Sequence, residues 1–139
     1  MTTLFTRIIE GELPGRFVWR DERCVAFLSI NPLQPGHTLV VPIAEVDQWT
    51  DLPPDLAEHL MRVSHVIGGA QVEVFAPARV GLVIAGFEVP HCHVHVIPTR
   101  SMADLDFANA VQEPDPAALD DAADRLRTAL AAAGHPEAG

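Results

Sequence analysis

The sequence predicts an α+β domain in which one five-stranded, largely antiparallel sheet packs against helices on one face. Three observations carry this. Five short runs are rich in β-branched and aromatic residues, with only a few turn residues between the first and second and between the fourth and fifth. A long helical pattern separates the third run from the fourth. Helical spacing returns at both ends of the chain. At 139 residues the length suits one domain spanning 1–139, with a single self-sufficient core.

The elements follow in order. From Leu4 to Glu12 the apolar residues Leu4, Phe5, Ile8 and Ile9 recur at helical spacing until "ELPG" stops them. "FVWR" and "CVAFLSI", split by the charged turn "DER", read as a hairpin. After the loop "NPLQPG", the run "HTLVVPI" from His37 to Ile43 reads as a central strand. From Asp55 to about Phe75, residues Leu56, Leu60, Val63, Ile67 and Ala70 form one helical stripe, with Pro53 and Pro54 suited to the first turn. "ARVGLVIAG" and "HCHVHVIP" supply the last two strands. A final helix over about 114–133 aligns Leu119, Ala123, Leu126 and Leu130 and ends before Gly134 and Pro136.

Composition removes several functions. A net charge of −10 argues against sequence-independent attraction to nucleic acid or an anionic membrane. The nine cationic residues are all Arg, which excludes Schiff-base and P-loop lysine chemistry. Two cysteines, Cys24 and Cys92, lie far apart without a CxxC, and the polar N-terminus lacks a signal-peptide core. We therefore expect a cytoplasmic, thiol-reduced protein with no membrane segment, its cysteines serving as buried packing.

Three of the seven histidines, His91, His93 and His95, alternate in "PHCHVHVIP". In an extended strand they share one face, while Cys92, Val94 and Val96 share the other. Two chemistries need such a row. An HxH pair presents two imidazoles to a zinc ion, but the outer rings are about 13 Å apart along a strand, and no adjacent carboxylate completes the set. Alternatively, one His attacks while its neighbours set its tautomer and stabilise charge. Spacing alone leaves both open. His59 and His65 fall off the apolar stripe of the long helix and are expected at the surface.

The pattern His91-Cys92-His93-Val94-His95-Val96-Ile97 resembles the signature of the histidine triad superfamily of nucleotide hydrolases and transferases. The stretch "FTRIIEGELPGRFVWRDERCVAFLSINPLQPGHTLVVP" is similar to the same family's first half, so the resemblance covers about residues 3 to 100. The branch it favours is that of small bacterial histidine triad nucleotide-binding proteins. This resemblance implies a HIT-like fold, a homodimer with one continuous sheet, and a pocket for a purine-type nucleotide. It implies that His93 attacks the α-phosphorus of a nucleoside phosphoramidate, acyl nucleotide or dinucleoside polyphosphate, giving a nucleotidyl-histidine that water resolves. By the same token His91 and His37 hold the nucleophile's orientation, and His95 contacts phosphate and leaving group. Phe5, Ile8, Phe27, Ile30 and Leu39 match positions enclosing base and sugar, though residues of these types also build cores. No cofactor is implied, and the transition state can be met by protonated imidazoles and backbone N–H groups.

The chain departs from its relatives at three places. Ser29 stands where an Asp commonly binds the ribose with two oxygens. "AGFEV" before the triad puts Phe87 and Glu88 where a phosphate-binding Gln and hydroxyl are usual. Thr3, Thr6 and approximately Glu45 replace the Cys, Cys and His that hold a structural zinc in many bacterial relatives, so no metal is expected. The first two departures motivate a rival reading, a nucleotide-binding module with little turnover; the HxH pairs themselves keep open a third, a metal-dependent protein.

Overall fold

The computed structural model describes residues 2–139. Its elements are α1 (Leu4–Ile9), β1 (Phe17–Arg20), β2 (Cys24–Leu28), β3 (Thr38–Pro42), α2 (Pro54–Phe75), β4 (Arg79–Val83), β5 (Val94–Thr99) and α3 (Pro116–Ala132), with short 3-10 turns at Trp49–Asp51, Met102–Leu105 and Phe107–Asn109. The five strands form one sheet in the order β1-β2-β3-β5-β4, every neighbouring pair antiparallel. The fold class is α+β, as the strand runs and the intervening helix require.

Alternation sorts the sheet into two faces. Cys24, Ala26, Leu28, Val40, Val94 and Val96 point into the main core, where α2 contributes Leu60, Val63 and Ile67 and α3 contributes Ala123, Leu126 and Leu130. The predicted stripes of both helices are buried throughout. Truncating one such Leu to Ala would cost about 2–5 kcal/mol. Pro54 opens α2 and Ala76 closes it in the left-handed region at φ 46°. Asp115 caps α3 by accepting from the Ala117 amide.

Two details differ from the sequence reading. The helices do not all cover one face: α1 packs on the opposite side, where Phe5 joins Val25, Phe27, Leu39 and Val41 in a second cluster. A period of 3.6 shows that a short helix has an apolar side, not which side of a sheet receives it. Secondly, β5 starts at Val94, because β3 pairs with it only through Thr38, Leu39 and Val40. His91 and His93 precede the paired segment, and the amides of His91 and Cys92 donate to Val89 O and Val46 O instead. The chain stays extended enough to keep the parity: Cys92 and Val94 enter the main core, while His93 and His95 line the cavity on the α1 side. None of the described helices is long and apolar enough to cross a membrane.

Candidate functional site

A cavity of about 630 Å³ opens on the α1 side of the sheet. All six residues assigned to the nucleoside pocket line it: Phe5 and Ile8 from α1, Phe27, Ser29 and Ile30 at the end of β2, and Leu39 on β3. His93 and His95 form its inner wall, and residues 85–89 and Phe107, Ala110 and Gln112 its rim. The apolar wall suits a flat hydrophobic ligand, and the two imidazoles offer polar anchors. A larger, more open groove of about 860 Å³ lies between α2 and α3 and includes none of these residues.

Hydrogen bonds fix the tautomers of the neutral rings. His93 Nδ1 lies 2.7 Å from the His91 carbonyl, which only accepts, so Nδ1 carries the proton and Nε2 keeps its lone pair. His37 Nδ1 accepts from the Leu33 amide at 3.0 Å, so its Nε2–H donates to His95 Nδ1 at 2.9 Å. His95 therefore carries its proton on Nε2. His91 Nε2 donates to Pro42 O at 2.7 Å, and its Nδ1 pairs with the Thr3 hydroxyl at 2.6 Å. The row thus presents a bare nitrogen on His93 and an N–H on His95, with ring centroids 4.8 Å apart. Phe5 meets His93 edge-on at 4.9 Å, and Phe107 meets His95 at 4.8 Å.

Burial favours the uncharged form of His37, His93 and His95. Desolvation, reinforced by the neighbouring imidazole of His93, lowers the pKa of His37 to about 4. His95 falls to about 3 for the same reason, with His93 and His37 adding to it. Desolvation also lowers His93, although the His91 carbonyl and the Glu88 carboxylate pull the other way. In the free protein the rings expected as protonated imidazoles are therefore neutral, since a buried cation without a partner is disfavoured.

The other predicted residues take separate places. His37 is fully buried and reaches His95 rather than His93, and the imidazole of His91 points away from the cavity toward Pro42 and Thr3, leaving its carbonyl to meet His93. His65 is exposed, while His59 donates to Asp21. Cys24 and Cys92 are free and buried, and desolvation raises both thiol pKa values. Arg100 binds the carbonyls of Phe75 and Ala76 at the end of α2, away from the cavity.

Among the described residues, the triad offers a metal ion few uncommitted donors. Both nitrogens of His91 and Nδ1 of His93 are already committed, which leaves one nitrogen each on His93 and His95. At the position of the relatives' structural zinc, Glu45 Oε1 accepts from the Thr3 amide at 2.8 Å and the Thr6 hydroxyl at 2.5 Å, while the Thr3 hydroxyl engages His91. Two neutral hydroxyls and one carboxylate beside an imidazole do not make a zinc site, and these donors satisfy one another. Elsewhere among the described residues, Asp21, Cys24 and His59 come close enough to share an ion. There Asp21 Oδ2 already accepts from Trp19 and His59.

Sequence reasoning missed Phe107, Asn31 and Gln112, which also line the cavity. No periodicity marks "MADLDFANAV", and its one aromatic, Phe107, is the only signal it carries. Phe87, almost fully exposed, and Glu88 stand at the mouth.

Residues 10–102 match the family model of the HIT domain. The chain is 35% identical over 105 residues to an uncharacterised HIT-like protein of Methanocaldococcus jannaschii, covering 68% of this chain and 77% of that one. It is 28% identical over 102 residues to an adenylylsulfatase of Arabidopsis thaliana, covering 70% of this chain and 52% of the relative. Among solved structures, a zinc-bound histidine triad family protein from Mycobacterium smegmatis superposes with a TM-score of 0.81 at 29% identity, covering 96% of both chains.

Proposed function

The chain belongs to the HIT domain family, and from that premise we propose that it is a nucleotide hydrolase or transferase in which His93 Nε2 attacks the α-phosphorus of a nucleoside phosphoramidate, acyl nucleotide or dinucleoside polyphosphate. The observation that carries the proposal is the 2.7 Å contact between His93 Nδ1 and the His91 carbonyl. It holds the proton on the far nitrogen and frees the near one for attack without any external base.

The residues then divide the work. Phe5, Ile8, Phe27 and Leu39 hold the base and sugar, with Ser29 on the same cavity wall offering its hydroxyl to the ribose. Attack forms the P–Nε2 bond and expels the leaving group with its electron pair. The positive charge that develops on His93 is stabilised by its Nδ1–H against the His91 carbonyl. His95 Nε2–H, held in that tautomer by His37, donates to the phosphoryl or leaving-group oxygen or nitrogen. Water then cleaves the P–Nε2 bond and restores the free imidazole. As the phosphate approaches, its negative charge raises the pKa of His95 and favours the protonated ring, a stronger hydrogen-bond donor to the developing charge.

A purine-type nucleotide fits the apolar wall, and a homodimer is supported by β4, a sheet-edge strand with Leu82 exposed on it and Ile84 exposed just after it. The deciding experiment is denaturing mass spectrometry after incubation with an adenosine phosphoramidate, alongside steady-state turnover. We expect a nucleotidyl adduct on wild type and none on His93→Ala, with turnover lost in the variant. Equal turnover by His93→Ala would refute the mechanism. Nucleotide binding without turnover by wild type would favour the binding module that Ser29 and Glu88 suggest.

A further inference from the structure

We propose that Thr3 is a positioning residue for the nucleophile, acting through His91, so that the cap of the first helix and the triad form one hydrogen-bonded unit. The kinetic part of the argument rests on the function proposed above. The structural part stands without it.

Helix α1 has only six residues, far too few to persist by itself, yet it presents Phe5 and Ile8 to the cavity. Its placement must come from contacts. Thr3 is its N-cap, and the Thr3 hydroxyl oxygen accepts from the Thr6 amide at 3.1 Å. That hydroxyl has a single proton and two acceptors within reach: His91 Nδ1 at 2.6 Å and Thr6 Oγ1 at 3.2 Å. Distance favours His91. The acceptor's state agrees, because the Pro42 carbonyl holds the His91 proton on Nε2 and leaves Nδ1 bare. Thr6 in turn gives its proton to Glu45 Oε1, which also takes the Thr3 amide. Every donor in the set therefore has one destination.

His91 is fully buried, so a bare Nδ1 without the Thr3 donor would be an unsatisfied polar atom. The ring would have to turn or exchange tautomer, and with it would move the peptide whose carbonyl holds the proton on His93. Phe5 lies two residues from Thr3 and packs against both rings, at 5.7 Å from His91 and 4.9 Å from His93. One hydroxyl thus sets the cap of α1, the tautomer of His91 and, through these, the orientation of His93.

The test compares wild type, Thr3→Val and Thr3→Ser in turnover of an adenosine phosphoramidate, together with imidazole ¹⁵N spectra of the full-length protein. Val keeps the shape and removes the hydroxyl; Ser restores it. Thr3→Val should lower kcat by about ten- to a hundredfold, with a smaller change in KM. Thr3→Ser should recover kcat to within about twofold of wild type. The spectra should show neutral His91 protonated on Nε2 and His93 on Nδ1 in wild type, with both signals displaced in Thr3→Val. Folded Thr3→Val with wild-type kcat and unmoved His91 and His93 signals would overturn the proposal. So would a wild-type His91 protonated on Nδ1, a result that needs no variant to fold. If His93→Ala retains full turnover, the function fails while the spectra still decide the role of Thr3.

Discussion

Acidification should destabilise this fold well above the range where carboxylates titrate, and His37 and His95 are the reason. Their native pKa values, about 4 and about 3, lie below the ordinary 6.5. Above about pH 6.5 both rings are neutral in the folded and unfolded chain, and neither contributes a slope. Below it the unfolded chain takes up a proton at each ring that the native state refuses, so stability falls as pH falls. The slope is about 1.4 kcal/mol per pH unit per ring. Two units down, each ring has removed about 2.7 kcal/mol. Both together remove at most about 5 kcal/mol, because the rings share a hydrogen bond and titrate as a pair. That is a large share of the roughly 5–15 kcal/mol available to a domain. Carboxylates stay out of the window: Asp21, which burial pushes up but hydrogen bonds from Trp19 and the Arg23 and Cys24 amides hold near 2, matters only below its ordinary 3.8. Glu45, lowered mainly by the Thr6 hydroxyl, matters only below 4.5. Urea unfolding at about pH 8, 6.5, 5.5 and 4.5 measures the effect. His37→Gln supplies the control, since its amide oxygen can accept from Leu33 and its nitrogen donate to His95, yet it takes no proton. The variant's slope should be shallower by about one proton. Flat wild-type stability between about pH 6.5 and 4.5, or parallel curves for the two proteins, would refute the reasoning.

Three further outcomes follow from single contacts. Gln71 is fully buried and its Nε2 donates to the carbonyls of Gly36 and Val96 at 2.9 Å each; Gln71→Leu should cost about 1–3 kcal/mol in urea unfolding by removing that donor, the Gly36 carbonyl keeping the Thr38 hydroxyl at 2.7 Å. Ser29 has one oxygen where two would grip a ribose, so Ser29→Asp should tighten adenosine monophosphate binding about tenfold by calorimetry, and unchanged affinity would remove Ser29 from the sugar site. Glu88 stands beside the triad at the cavity mouth, and Glu88→Gln should raise kcat/KM for a dinucleoside polyphosphate relative to a phosphoramidate by a few-fold, a modest effect because the carboxylate is exposed.

Period and composition carried the long elements. The α2 stripe and the apolar runs of β2 and β3 are visible because each buries a full face, and burial is what selects the residue types. The triad's parity was equally visible, since it needs only an extended chain. What periodicity does not encode is the partner. Asn31 and Gln34 in "INPLQPGH" are plain polar loop residues in the sequence. In the fold Asn31 Nδ2 donates to Val111 O and Gln112 O at 3.1 Å, and Gln34 Nε2 to Asp104 Oδ1 at 2.9 Å. Those bonds span about seventy to eighty residues, and no local pattern announces them.

Their consequence reaches the chemistry. Between Asn31 and Gln34 lies Leu33, whose amide fixes the tautomer of His37 and, through it, that of His95. The same loop therefore sets the proton on His95 Nε2 and, by holding residues 104 and 111–112, places the Phe107 ring 4.8 Å from that imidazole. A loop that must satisfy both demands cannot drift at one without disturbing the other. Disruption at Asn31 or Gln34 should accordingly reach His95 by two routes, through Leu33 and through Phe107, although neither side chain touches the histidine.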